Sequence, residues 1–218
     1  MDTVKARKHM VDSQVRPNDV TDIGLQAAMG NVPRERFVPA NRRALAYVEQ
    51  DVPLFEGRHL LKARDFAKLI DAANVQPGDL ILDVGCGYGY SSAVLAQIGG
   101  VVVALEESQE VVDKASSLFS AFSIDNAVSV QGPLAEGYAK QAPFDVIVVA
   151  GGVEEGLDQL FSQLKEDVGR LVTIKMHDRV GTATLFTRSG TAYGERRLFE
   201  AHPAETIPAF RKKQQFQF

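Results

Sequence analysis

The stretch Leu82-Asp83-Val84-Gly85-Cys86-Gly87-Tyr88-Gly89-Tyr90 sets three glycines at alternate positions after an apolar run, with an acid two residues ahead of the first. Two further acids, Glu106 and Glu107, close the next apolar run about twenty residues on. Glycines at the carboxyl end of a strand let the backbone turn tightly and let a ligand lie against it, and an acid at the end of the second strand can accept hydrogen bonds from ribose hydroxyls. The pattern predicts a nucleoside site. The dinucleotide fingerprint would need a small residue at position 90, where helix and strand close around a pyrophosphate, and the chain has Tyr90 there. An NAD-dependent oxidoreductase is therefore disfavoured. Asp83 at the strand end suits a cationic ligand on Coulomb grounds. Alone, the glycines could make only a tight turn and the two acids could cap helices. The order strand, glycines, helix, strand, acid favours the ligand site.

The elements that must position these residues begin near Val75. Gln76-Pro77-Gly78-Asp79 is a turn signal, and Leu80-Ile81-Leu82-Asp83-Val84 after it is an apolar run of the length expected for a strand buried on both faces. A helix is predicted over 91–98, a strand over 101–105 and a helix over 108–122, where Val111, Val112, Ala115, Leu118, Phe119 and Phe122 keep helical spacing. Strands follow at 127–131 and 144–149, and a helix at 156–164. Three more strands fall at 169–174, 183–187 and 192–199, the last two joined by the hairpin turn Arg188-Ser189-Gly190-Thr191. The alternation predicts an α/β fold: a doubly wound, Rossmann-like sheet, mostly parallel with a closing antiparallel hairpin. Before Val75 the pattern is helical and polar, with helices at 19–29 and 62–74. The predicted organisation is thus an N-terminal helical extension with an acceptor-side loop, 1–74, and a ligand-binding core, 75–218, forming one compact unit.

Composition bounds the partners. The chain has 218 residues, 24 Lys+Arg against 28 Asp+Glu and one cysteine. A net charge of −4 leaves no basic footprint for duplex nucleic acid. No apolar run approaches a membrane span, and the first twenty or so residues lack the apolar stretch of a secretion signal, so a cytoplasmic location is expected. Cys86 reads as a small buried filler rather than a reactive thiol, since no partner base is indicated. No metal site is predicted.

The variant Asp83-x-Gly85-x-Gly87-x-Gly89 resembles motif I of the S-adenosylmethionine-dependent methyltransferases, whose ligand carries a sulfonium and an ammonium but no phosphate. Ahead of it, Met10-Val11 with Gln14-Val15, Val32-Pro33-Arg34-Glu35-Arg36-Phe37-Val38-Pro39, Ala46-Tyr47 and Asp51-Val52-Pro53-Leu54 are similar to the N-terminal half of the protein-L-isoaspartate O-methyltransferases. Ala142-Pro143-Phe144-Asp145-Val146-Ile147-Val148-Val149 and 164–172 are similar to that family's later motifs. The resemblance covers most of the chain. It implies S-adenosyl-L-methionine as cofactor, held by Asp83, Gly85, Cys86, Gly87, Tyr88, Gly89, Glu106, Glu107 and the loop Gly132-Pro133-Leu134. It also implies methyl transfer to a carboxylate, on L-isoaspartyl residues of damaged proteins.

The departures from the family lie mainly on the acceptor side. Where the family carries roughly Gly-Gln-Thr-Ile-Ser-Gln-Pro, this chain has Gly57-Arg58-His59-Leu60-Leu61-Lys62-Ala63, so neither hydroxyl is kept. The family's Gly-Asp-Gly becomes Gly132-Pro133-Leu134, and its Thr-Ala-Ala becomes Ala150-Gly151-Gly152. Arg58 and His59, with Lys62, are donors that could replace the lost hydroxyls at the acceptor carboxylate, which makes Arg58 and His59 the catalytic candidates. Two alternatives follow from the rewritten loop: methyl transfer to a different acceptor, a small molecule included, or cofactor binding without catalysis. Arg211-Lys212-Lys213 reads as a solvated basic tail. Nothing in the residues fixes an oligomeric state.

Overall fold

The computed structural model describes residues 2–55, 57–178 and 180–212. Lys213, the last residue of the predicted basic tail, lies outside them.

The chain opens with α1 (Thr3–Met10), capped by the Asp2 side chain accepting from the Lys5 N–H, and runs through one wide helical turn at Val11–Val15. The predicted helix over 19–29 begins later, as α2 (Ile23–Asn31). Asp19 adopts a left-handed conformation that breaks the earlier turn, and Asp22 caps the helix by accepting from the Leu25 N–H at 3.0 Å. The stretch read as a helical extension with an acceptor-side loop contains a hairpin, β1 (Val52–Phe55) and β2 (Arg58–Leu60), paired antiparallel with His59 opposite Pro53. α3 (Ala63–Ala73) follows and buries Phe66, Leu69 and Ile70.

The core alternates as its apolar runs predict: β3 (Leu80–Val84), α4 (Tyr90–Ile98), β4 (Val101–Glu106), α5 (Gln109–Ala121), β5 (Ala127–Gln131), β6 (Val146–Val153), α6 (Asp158–Ser162), β7 (Arg170–His177), β8 (Val180–Ser189) and β9 (Ala192–Ala201). They form a seven-stranded sheet in the order β5-β4-β3-β6-β7-β8-β9. The first five strands of that order run parallel, and β8 and β9 close it antiparallel. α6 is shorter than the helix predicted over 156–164. Gly156 sits at φ +93°, outside helical geometry, and Leu164 is drawn into a bridge with Phe144.

Alternation along β3 divides the core. Ile81 joins a cluster with Met10, Leu25, Phe37, Phe66 and Val94, so residues from before and after Val75 share one apolar layer. Leu82 and Val84 face the other layer with Leu105, Phe144, Ile147, Leu160 and Phe210. Among the described residues no helix is long and apolar enough to cross a membrane.

Candidate active site

Strand order reverses at β3, which has β4 on one side and β6 on the other, and ligands of open α/β sheets lie beyond the carboxyl ends of the strands at such a point. The glycine loop leaves β3 there. Gly85, Gly87 and Gly89 all have positive φ, at +73°, +57° and +92°, and the Gly85 N–H donates to the Leu105 carbonyl at the end of β4 (2.9 Å). Gly85 has a second reason for lacking a side chain: a Cβ there would come within 2.7 Å of the Arg58 Nη2.

Two acids flank the loop. Asp83 is fully buried, and its Oδ2 accepts from the hydroxyls of Ser91 (2.5 Å) and Ser92 (2.6 Å) in the first turn of α4. Its Oδ1 is buried without a partner. Burial pushes its pKa up to about 6, against the pull of the two serines, and the nearby Glu106 adds to the rise. Glu106, at the tip of β4, is only 1% exposed. Its Oε1 accepts from the Gly87 N–H at 2.7 Å and forms an ion-pair contact with Arg58 Nη2 at 2.8 Å, and its Oε2 accepts from Arg58 Nη1 at 3.1 Å and the Glu107 N–H at 3.2 Å.

Arg58 is therefore not turned towards an acceptor. It reaches across from β2 as a two-pronged fork on the nucleoside acid, and its Nη2 also donates to the Gly85 carbonyl at 2.5 Å. The Phe55 ring lies 5.4 Å from the guanidinium carbon, and Phe55 in turn meets Tyr88 with ring centres 5.8 Å apart. His59, next along the strand, is half-buried with Nδ1 lacking a partner, and is not among the residues that line the cleft beside Arg58. Lys62 turns back to Asp65 (3.2 Å), and Leu61 is buried in the apolar layer. Only Arg58 of the acceptor-loop candidates meets the loop.

The remaining candidates assemble around the glycines. Cys86 packs with Ala104, Ala115 and Phe119, and burial raises its thiol pKa, consistent with a filler. Gly132 N–H donates to the Glu106 carbonyl (2.9 Å), and Leu134 is fully buried beside Gly85. Glu107, Gln131, Gly132 and Pro133 line a pocket of 380 Å³ at one end of the site. At the other end a cleft of 680 Å³ is lined by Phe55, Gly57, Arg58, Glu106, Glu107 and Ser108 together with Glu205, Pro208 and Arg211 from the C-terminal segment. Of those last three, Arg211 reads from sequence as part of a solvated tail, and Glu205 and Pro208 were not foreseen. One signal for them existed: the doublet Gly151-Gly152 closes β6 because Ile207 and Thr206 lie on it, and a Cβ at Gly151 would sit 2.6 Å from Ile207. The small residues that replace the family's Thr-Ala-Ala are thus explained by contact with the chain's own C-terminal segment.

These residues fit a nucleoside with a cationic end: an unpartnered buried carboxylate oxygen on Asp83, a glycine cradle, a strand-tip acid and adjoining cavities of ordinary ligand size. Among the described residues no group of three or more His, Cys, Asp or Glu is placed to hold a metal ion.

Comparison with known proteins agrees with this geometry. Residues 5–197 match the family model described as Protein-L-isoaspartate(D-aspartate) O-methyltransferase (PCMT). Protein-L-isoaspartate O-methyltransferase 1 of Rhodopseudomonas palustris (strain HaA2) is 38% identical over 166 residues, covering 76% of this chain and 67% of the relative. The protein-L-isoaspartate O-methyltransferase of Opitutus terrae (strain DSM 11246 / JCM 15787 / PB90-1) is 33% identical over 210 residues, covering 95% and 88%. Among solved structures, one described as a protein-L-isoaspartate O-methyltransferase from Plasmodium falciparum, in complex with S-adenosyl-L-homocysteine, shares the fold. Its TM-score is 0.78 at 20% identity, over 93% of this chain and 98% of that one. With the family model spanning most of the chain and relatives above 30% identity along it, the chain belongs to the protein-L-isoaspartate O-methyltransferase family.

Proposed function

We propose that this chain binds S-adenosyl-L-methionine and transfers its methyl group to the side-chain carboxylate of L-isoaspartyl residues in damaged proteins. The observation that carries the reading is the position of Glu106, fixed at 2.7 Å from the Gly87 N–H at the junction of the glycine loop and the 680 Å³ cleft. When bound, the cofactor supplies a methyl on a sulfonium, a leaving group that needs no acid. The acceptor carboxylate is ionised at neutral pH and needs no base. The protein's work is alignment and exclusion of water.

In this reading Glu106 takes the ribose, Gly85 and Gly87 present their backbone to the ligand, and Tyr88 and Cys86 hold the loop's shape. Glu107 with Gly132, Pro133 and Leu134 borders the base. Asp83, with one oxygen free, favours the cationic end. The segment before residue 75 supplies one wall through Phe55, Gly57 and Arg58, and the core with its C-terminal segment supplies the other through Pro208 and Arg211. Arg211, paired with Glu205 at 2.9 Å and half-exposed, and Arg58 are the cleft's donors for an acceptor carboxylate, in place of the absent Thr and Ser. His59 is not among the residues that line this cleft and has no catalytic role in this reading. The acceptor is a protein or peptide, and the location we expect is the cytoplasm. Neither a different acceptor nor binding without catalysis is favoured by the relatives from Rhodopseudomonas palustris and Opitutus terrae, both named as protein-L-isoaspartate O-methyltransferases.

Incubation with methyl-labelled cofactor and an isoaspartyl peptide should give a base-labile methyl ester, and the matching aspartyl peptide should give none. Glu106→Ala should weaken S-adenosylhomocysteine binding by at least about tenfold, the loss of hydrogen bonds to a charged group. Tight binding with no ester formed would remove the repair activity.

A further inference from the structure

The acid expected to take the ribose is already held by Arg58 on both of its oxygens. A carboxylate offers about four lone-pair positions. On Glu106 three accept hydrogen bonds, from the N–H groups of Gly87 and Glu107 and from Arg58 Nη1, and Arg58 Nη2 adds an ion-pair contact at 2.8 Å. The same guanidinium also takes up the Gly85 carbonyl, the one loop acceptor beside it. Of these partners the two backbone N–H groups belong to the glycine loop and to the residue that follows β4 and cannot leave. Arg58 can. It belongs to a separate two-stranded hairpin, enters from the side, and borders the 680 Å³ cleft into which its side chain could turn.

We propose that Arg58 is a latch on the cofactor site. In the ligand-free protein it stands in for the ribose hydroxyls on Glu106, and cofactor entry displaces it into the cleft, where its freed fork is added to Arg211 as a donor for the acceptor carboxylate. The inference rests on the cofactor reading above. Its physical content is that the binding-competent state is only fractionally populated, which weakens apparent affinity by that fraction. It also makes binding ordered, cofactor first, because the acceptor-side donor is released only when Glu106 has exchanged partners. Gly85 is consistent with this arrangement, since any Cβ there would collide with the latched guanidinium.

Calorimetric titration with S-adenosylhomocysteine tests it on the full chain. Arg58→Ala should bind the ligand roughly tenfold more tightly than the parent if the competent state is about one part in ten. Arg58→Lys, which cannot span both carboxylate oxygens and the carbonyl, should fall between the two. In turnover with an isoaspartyl peptide, Arg58→Ala should raise the peptide KM with a smaller change in kcat. A second readout is taken on the parent and needs only the conservative variant, for assignment. In the parent labelled at arginine nitrogen, the Arg58 Nε–H resonance, assigned by its loss in Arg58→Lys, should shift on saturation with S-adenosylhomocysteine. Equal or weaker ligand binding by Arg58→Ala, or an Arg58 resonance unmoved by ligand, would overturn the latch and leave Arg58 as a support for Glu106. Absence of S-adenosylhomocysteine binding to parent and variants alike would overturn the cofactor reading, and the latch with it.

Discussion

Two buried arginines stand on either side of the same glycine loop, and they are held in opposite ways. Arg34, from the Pro33-Arg34-Glu35-Arg36-Phe37 stretch, is wholly buried. It donates to the backbone carbonyls of Ala46 (2.7 Å) and Leu61 (2.5 Å), and its guanidinium carbon lies 4.7 Å from the centre of the Tyr90 ring. Burial holds its pKa below the usual arginine value. Phe37 and Phe66 pack on the same Tyr90 ring, so the residue that excludes the dinucleotide fingerprint is also the seat on which the N-terminal segment is fastened. Arg58 is almost as buried, at 6% exposed, yet its partners are a carboxylate and a carbonyl that a ligand would want, and it borders a cleft. One arginine is enclosed by groups that have no other use. The other occupies groups that do.

That difference is open to attack, most forcefully at Arg34. Arg34→Ala leaves two carbonyls and an aromatic face without partners in a dry interior, and should cost about 3–5 kcal/mol of stability. Urea unfolding followed by circular dichroism measures it. S-adenosylhomocysteine affinity of the folded fraction should stay within about twofold. A change in affinity as large as that from Arg58→Ala would erase the distinction between the two arginines.

Next in size is the acid between them. The folded pKa of Asp83, about 6, lies above its ordinary value of 3.8, so between these values the folded state holds more protons than the unfolded one. Stability should therefore fall as pH rises from about 4 to 6, by about 3 kcal/mol from this group, and level off above. Melting temperatures across that range should show the slope in the parent and lose most of it in Asp83→Asn. An unchanged slope would mean that Asp83 is not the group responsible for it. Smallest is Cys86→Ala. It touches the loop but neither arginine's partners, and kcat/KM should change less than about threefold, since the thiol is buried and protonated.

Much of this was written in local sequence, because local sequence dictates it. β3 (Leu80–Val84) and β5 (Ala127–Gln131) fall where their apolar runs place them, since short runs bounded by turn residues leave little choice. Glu106 was legible from its spacing to the glycines. The hairpin was not: Val52-Pro53-Leu54-Phe55 and Arg58-His59-Leu60 carry a proline and two bases, and the pairing depends on what they pack against. α1 was silent too, because only Met10 of its eight residues is buried. Arg58 was singled out for its chemistry, but its pairing with Glu106 was not legible. Its partner lies 48 residues away and across a change of sheet, a distance that no spacing rule covers.

One carboxylate at the root of the hairpin has a mechanical consequence. Asp51 accepts from the Lys62 N–H at the start of α3 with one oxygen (2.8 Å) and from the Ala204 N–H of the C-terminal segment with the other (2.7 Å). The two banks of the cleft are thus pinned to a single pivot. Whatever displaces one bank is therefore felt on the other.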